Sequence, residues 1–375
     1  MVKPRKVLLF CVKLAVTVGV LIWVVSKIHW HDYAVTTGGQ AVRVFESADG
    51  RLRVASDSGT AWRSVSEFEP LEGQVVRPGF AAALGGIRVP VYLLGAALFV
   101  VNLTGMGVRW WYLLRFGDIR VTLGRSTRLM FVGQFFNFFL PGSTGGDLLR
   151  AYLVTKETKK RTVALAILFL DRFIGLAGLS LLAGVGTLLS WGRLHDPMVP
   201  RVVGLIVLGV VAAGVVVFSR GVGRLLRLER IIRRLPRREN LSRAVETAYT
   251  LGESPGTLLA AFAVTAVIHL SFVAGVAAVG SALGLPIPLY LYVVFLPVIY
   301  IIGSVPVSIA GLGVIEGLYI VLFCGASSVA ASSVLALALL ARLTPMAVSL
   351  PGLFFWWTTG RGTPPTEPAP EHPVG

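Results

Sequence analysis

Seven ionisable side chains stand inside otherwise apolar stretches of this 375-residue chain: Arg109, Asp147, Arg150, Asp171, Arg172, Glu316 and Arg342. In hydrocarbon such groups are costly, and they face a cavity or an opposite charge rather than lipid. Asp147 and Arg150 are three apart, one helical turn, so both would project from one face of a helix. That helix would begin at Gly145-Gly146, directly after the break Leu140-Pro141-Gly142-Ser143-Thr144. Its unpaired N–H groups would point at the break, where a phosphate would be held, and Arg150 would add a bidentate contact. Asp171 and Arg172 diverge by about 100° on a helix, so each needs a different neighbour. We expect Asp171 to meet an arginine and Arg172 to meet Asp147 or Glu316. Arg342, mid-stretch, would join the same polar groove. Arg109 stands near the end of its stretch beside Trp110-Trp111, where snorkelling to the interface would explain it. The plainer alternative is that these charges only lock helices together as buried pairs.

Groups for covalent catalysis are missing from the pattern. The sequence has no Walker A loop, no G-x-S-x-G and no H-E-x-x-H, so neither an enzyme nor a catalytic residue is expected. An intramembrane enzyme acting on lipid headgroups would have Asp and Glu here but no recognisable nucleophile. Cys11 and Cys324 lie far apart in apolar runs, which suggests neither a disulfide framework nor a metal site. His29-Trp30-His31-Asp32 closes the first apolar stretch and suits an interfacial anchor better than a metal. His269, alone on an apolar helix, reads as hydrogen-bonded core. Gly105-x-Gly107 and Gly175-x-x-Gly178 read as helix-packing spacings. No metal or cofactor is expected.

The elements that must position the charges are membrane helices. Hydrophobic residues make up 55% of the chain and charged ones 14%, against about 25% charged in soluble domains. Stretches at 7–26, 90–114, 163–190, 202–219, 257–283 and 332–357 approach or exceed the about 20 residues needed to span a bilayer. The net charge of +16 falls in short clusters between these stretches. That is a positive-inside pattern, and with few aromatics interleaved it argues against nucleic acid. Residues 1–27 read as a retained signal anchor, because no small-x-small cleavage site follows the apolar run. Residues 28–89 form the soluble piece. Val42–Phe45 and Leu52–Ala55 alternate around Asp49-Gly50 and predict a β-hairpin, with Trp62, Val65 and Phe68 adding packing. This small β-rich extracytoplasmic insert suits contact with a partner protein. The Pro-rich tail 360–375 reads as disordered.

Basic clusters at the N-terminus, 115–128, 156–161 and 220–243 mark the cytoplasmic side, and 284–289 and 325–332 carry no Lys or Arg. The 129–155 segment has basic flanks on both sides, so it reads as a re-entrant hairpin broken at Pro141. The 290–324 segment mirrors it with uncharged flanks and a break at Pro306. Pro141-x-Ser143-x-Gly145-Gly146 lines up with Pro306-x-Ser308-x-Ala310-Gly311, and each is followed by a carboxylate, Asp147 or Glu316. The expected fold is therefore an all-α polytopic membrane protein. It has about six spans plus two oppositely oriented hairpins, an inverted repeat, both termini are cytoplasmic, and 90–359 forms the transmembrane domain. Leu225, Leu228, Ile231, Ile232 and Leu235 suggest an interfacial amphipathic helix within 225–250.

Three segments resemble the signatures of a known family. They are Phe136-Asn137-Phe138-Phe139-Leu140-Pro141-Gly142-Ser143-Thr144-Gly145-Gly146-Asp147-Leu148-Leu149-Arg150, Leu170-Asp171-Arg172-Phe173-Ile174-Gly175-Leu176 and Pro306-Val307-Ser308-Ile309-Ala310-Gly311-Leu312-Gly313-Val314-Ile315-Glu316-Gly317. They look like the transmembrane region of lysylphosphatidylglycerol synthases, the flippase-like domain family, over about 90–360. The resemblance implies movement of a polar-headgroup lipid between leaflets, with Asn137, Asp147, Arg150, Asp171, Arg172 and Glu316 at matching positions. The aminoacyltransferase domain of the synthase has no counterpart after the last span, so lipid aminoacylation is not expected. The expected substrate-binding set is Asn137, Ser143, Gly145, Gly146, Asp147, Arg150, Asp171, Arg172, Ser308, Gly311, Gly313, Glu316 and Arg342. The expected partner is an anionic or zwitterionic phospholipid or a lipid-linked precursor in a bacterial inner membrane. A non-transporting scaffold for a glycosyltransferase or envelope-assembly complex, docked through 28–89, is the alternative.

Overall fold

The computed structural model describes residues 29–56, 59–71, 75–139, 145–158, 160–194, 196–227, 238–305, 308, 311–327 and 329–359. Of the first apolar stretch it describes 15, 18–19 and 22–26. The expected breaks at 140–144 and 306–307, including Ser143, lie outside the described residues. So do 228–237, most of the 7–26 stretch and the tail from 360.

The insert folds as expected around its hairpin. Strands β1 (Tyr33–Val35), β2 (Ala41–Ala48), β3 (Arg51–Ser56) and β4 (Gly59–Ser64) form an antiparallel meander in chain order. Ala48 pairs with Arg51, which leaves Asp49 and Gly50 as a two-residue turn with φ of 49° and 69°. Two positive φ values match the right-handed twist of the strands, and Asp-Gly tolerates them. Alternation along β3 buries Leu52 and Val54 against Ala34, Val44 and Phe68. Val65 packs against this cluster. Trp62 does not share the expected packing; on edge strand β4 it is 47% exposed.

Five helices among the described residues are long and apolar enough to cross a membrane. After a short helix α1 (Phe80–Gly85) come α2 (Val89–Phe116), α5 (Arg161–Leu189), α6 (Met198–Phe218) and α9 (Pro255–Ala282). The fifth span, Ala331–Thr358, is made of α12 (Ala331–Val348) and α13 (Pro351–Thr359), separated at Ser349-Leu350. The chain is thus a multi-pass membrane protein. Helix α6 is the outermost: only 6% of its apolar window is buried, and Leu205, Leu208, Val211 and Val215 face outward.

Two pairs of shorter helices stand between these spans. Helix α3 (Leu123–Phe139) is followed by α4 (Gly145–Glu157), and α10 (Leu289–Gly303) by α11 (Val314–Ser327). At 1.5 Å per residue, their lengths of 17, 13, 15 and 14 residues give roughly 20–25 Å each, short of a ~30 Å core. Both flanks of the first pair lie together, since Lys160 meets Asp118. Both flanks of the second lie near the insert, where Leu285, Pro286 and Val329 share one cavity with Arg77. Beyond α6, α7 (Arg220–Leu225) is clamped to α8 (Arg238–Gly252). There Arg220 bonds Glu253 at 2.8 Å and Glu246 at 2.6 Å. Of the proposed 225–250 amphipathic helix, the 228–237 part lies outside the described residues, and α8 is the helix seen.

Candidate functional site

The embedded charges meet where α2, α4, α5 and α9 pack. Asp171 of α5 is shared: Oδ1 accepts from Arg109 Nε at 2.8 Å and Oδ2 from Arg150 Nη2 at 3.0 Å. Arg109 also donates to Thr265 Oγ1 at 3.0 Å, and that hydroxyl donates to the Ala261 carbonyl at 2.7 Å. Arg150 continues the chain, with Nε 3.1 Å from Asp147 Oδ1 and Nη1 3.2 Å from Met130 Sδ. Its guanidinium lies 4.6 Å over the Trp110 ring. Asp147 in turn pairs with Arg172. The two expected pairings, Asp171 with an arginine and Arg172 with Asp147, are both seen.

Arg109 departs from the snorkelling expectation. It is buried, not reaching for the interface. The helix runs on to Phe116, about two turns further, so the interface is out of reach, and Asp171 and Thr265 supply closer partners. Glycine makes the approach possible: a Cβ on Gly175 would sit 3.4 Å from the Arg109 guanidinium. A Cβ on Gly178 would meet Thr265 at 2.3 Å, so these spacings do serve helix packing. His269 Nε2 donates to the Gly175 carbonyl, 2.9 Å away, the hydrogen-bonded core role expected of it.

Asn137 and Gly146 hold the first short pair together. The Gly146 N–H donates to Asn137 Oδ1 at 2.9 Å. A Cβ on Gly146 would lie 1.8 Å from the Gly133 carbonyl oxygen, so α3 and α4 touch backbone to backbone. Asp147 fills the first turn of α4, where a carboxylate suits the helix dipole. One N–H of that N-terminus and its nearest anion are therefore already supplied by the protein. Gly145 opens α4 beside them.

The second pair carries a separate, smaller cluster. Arg342 of α12 lies 2.6 Å from Glu316 Oε1, and Glu316 Oε2 accepts from the Gly313 N–H at 2.8 Å. Gly311 and Gly313 have φ of 70° and 80°, left-handed values that let the chain reverse into α11. Ser308 is buried, and its hydroxyl has no hydrogen-bond partner among the described residues. Helix α11 widens to π geometry over Ile320–Cys324, a distortion frequent at functional sites. No ion pair among the described residues joins this cluster to the first, so the expected single groove contains two charge centres.

The first centre is unbalanced. Three guanidiniums, Arg109, Arg150 and Arg172, face two carboxylates, Asp147 and Asp171. Arg109 and Arg150 are sealed, but the Arg172 side chain is 45% exposed. It lies about 17 Å along α5 from Arg161, near mid-depth of a span.

The model of the lysylphosphatidylglycerol synthase transmembrane region matches residues 79–352. This chain belongs to that family. The match takes in all seven embedded charges and both short helix pairs, and it leaves out the β-sheet module. No curated protein matches the chain. Among the described residues no group of three His, Cys, Asp or Glu side chains is placed to hold a metal ion.

Proposed function

We propose that this member of the lysylphosphatidylglycerol synthase transmembrane family translocates a lipid with a phosphate-bearing headgroup between leaflets of a bacterial inner membrane. One observation carries the reading: Arg172, whose side chain is 45% exposed, stands near mid-depth of its span in a cluster with one positive charge in excess. An arginine exposed to hydrocarbon there would cost several kcal/mol, so it calls for water or an anion beside it. A lipid phosphate supplies that anion and matches the guanidinium fork. Asp147 would then exchange its share of Arg172 with the passing headgroup, while Asp171 keeps Arg109 and Arg150 in place.

In this reading the two short pairs are re-entrant hairpins of opposite orientation, and both termini lie with the basic loops in the cytoplasm. This arrangement is supported by helix lengths short of a ~30 Å core, by the Lys160–Asp118 contact beside the first pair and by the cavity that the flanks of the second share with Arg77. Ser143, Gly145, Ser308, Gly311 and Gly313 would line the turning points, with Glu316 and Arg342 a second station. The protein would act as a transporter without covalent chemistry, cofactor or metal. A second reading, a scaffold for an envelope-assembly enzyme, is favoured by one feature. Edge strand β4, with its exposed Trp62, offers a sheet edge for a partner chain.

Reconstitution in liposomes decides between them. Leaflet exchange of labelled phosphatidylglycerol or phosphatidylethanolamine should exceed that of empty vesicles and fall at least tenfold in Arg172→Ala. No exchange with any anionic or zwitterionic phospholipid, with or without a proton gradient, removes the transport reading.

A further inference from the structure

We propose that the cavity where the sheet module meets the membrane bundle binds a phosphate-bearing amphiphile. This site is separate from the embedded charges. One wall, Leu71, Val76 and Arg77, lies outside the region matched to the family. The opposite wall comes from the α9–α10 turn and the start of α12, inside it. The cavity holds about 440 Å³, within the range of small-ligand pockets.

Its walls are fixed in place. The Ser332 hydroxyl donates to the Pro78 carbonyl at 2.8 Å, and the Arg88 N–H to the Ala282 carbonyl at 2.9 Å. A Cβ on Gly79 would lie 2.3 Å from the His31 carbonyl carbon, so the chain entering α1 is packed against the module. Arg77 is held by a two-way backbone bridge, Tyr33 N–H to Arg77 carbonyl at 3.0 Å and Arg77 N–H to Tyr33 carbonyl at 2.7 Å.

The charge in the cavity is one-sided. The Arg77 guanidinium stands beside the Tyr33 hydroxyl, and its Nε is shielded from solvent with no hydrogen-bond partner among the described residues. No carboxylate among the described residues lines the cavity. The 18-residue helix α12 starts at the same wall, with Ala330 at its N-cap and no side-chain cap. Its positive dipole end therefore adds to the charge of Arg77. Leu71, Val76, Leu283, Leu285, Pro286 and Val329 make the rest of the lining apolar. A polar anion with a hydrocarbon portion fits both parts, and a phosphate matches an arginine best.

The test uses the full chain in phosphatidylcholine nanodiscs, titrated with dioctanoyl phosphatidylglycerol, inorganic phosphate and dioctanoylglycerol. Binding is read by native mass spectrometry and thermal shift. Saturable binding of the phosphatidylglycerol probe is expected, weakened at least tenfold in Arg77→Gln and less in Arg77→Lys. Ala82→Phe, which adds bulk at another lining residue, should weaken it too. Arg172→Ala should leave this Arg77-dependent binding intact, which separates it from the transport reading. The proposal is overturned by equal binding of inorganic phosphate or of dioctanoylglycerol, or by unchanged affinity in Arg77→Gln. Should Arg77→Gln fail to fold, unchanged affinity in Ala82→Phe overturns it.

Discussion

The two oxygens of Asp171 are divided between arginines from two other helices, Arg109 at 2.8 Å and Arg150 at 3.0 Å. One carboxylate thus ties α2, α4 and α5 together. Removing it leaves Arg109 buried without a carboxylate and Arg150 with Asp147 alone, and breaking such a buried pair costs about 3–5 kcal/mol. Asp171→Asn keeps the shape but not the charge. We expect it to melt well below the parent in detergent, with reduced yield of folded protein. An unchanged melting temperature would contradict the pairing.

Arg172 tests function apart from stability. Its partner Asp147 retains Arg150 at 3.1 Å when Arg172 is removed, so no buried carboxylate is stranded. Arg172→Ala should therefore cost about 1 kcal/mol or less in stability. Lipid exchange should nevertheless fall at least tenfold, with partial recovery in Arg172→Lys, which keeps the charge but loses the fork. Equal losses of stability and exchange would make Arg172 a structural residue only.

Gly146 allows a comparison in which only the neighbours differ. A methyl there would sit 1.8 Å from the Gly133 carbonyl oxygen, which is backbone and cannot swing away. Gly146→Ala should separate α3 from α4 and destabilise by about 1–3 kcal/mol or more. Gly209, on the outward helix α6, has nothing within 4 Å of its added Cβ. Gly209→Ala should be neutral or slightly stabilising, because alanine suits a helix better. Matching melting temperatures for the two variants would discount the contact.

The pairings of Asp171 and Arg172 were legible because helical periodicity alone forces consecutive side chains toward different neighbours. Arg109 was not, because a run of hydropathy shows where a stretch loses its apolar character, not where its helix stops. Helix α2 continues to Phe116, and the partners Asp171 and Thr265 stand 62 and 156 residues away. The Asp49-Gly50 turn was readable from two residues, whereas Trp62 was not, since alternation does not reveal which strand becomes an edge. The likeness between the two breaks suggested one shared groove. Five charges gather at the first and two at the second, and no ion pair among the described residues links them.

That separation has a thermodynamic signature. Mutations without shared partners add within about 0.5 kcal/mol, while members of one network do not. Stability losses of Asp171→Asn and Arg342→Ala should add in the double variant. Those of Asp171→Asn and Arg109→Gln, whose atoms touch, should fall well short of their sum. Strong coupling between Asp171 and Arg342 would show a joined network instead.

The orientation of the two short pairs is open to a chemical test in cells. With Cys11 and Cys324 replaced, single cysteines can be placed at the flanks of each pair. Gly124 stands in the first turn of α3 and Thr158 just after α4, and Leu289 and Ala326 stand at the outer ends of α10 and α11. Glu46, exposed on β2, reports the side of the insert. If each pair turns back inside the membrane, a membrane-impermeant maleimide should label positions 46, 289 and 326 from outside. Positions 124 and 158 should react only after permeabilisation. The lengths favour this outcome, because a helix of 13 residues covers roughly 20 Å and would leave polar backbone ends within a ~30 Å core. Labelling of 124 and 158 from opposite sides would mean that the pair crosses. The basic stretch after α6 would then lie outside, against the charge rule that places it within.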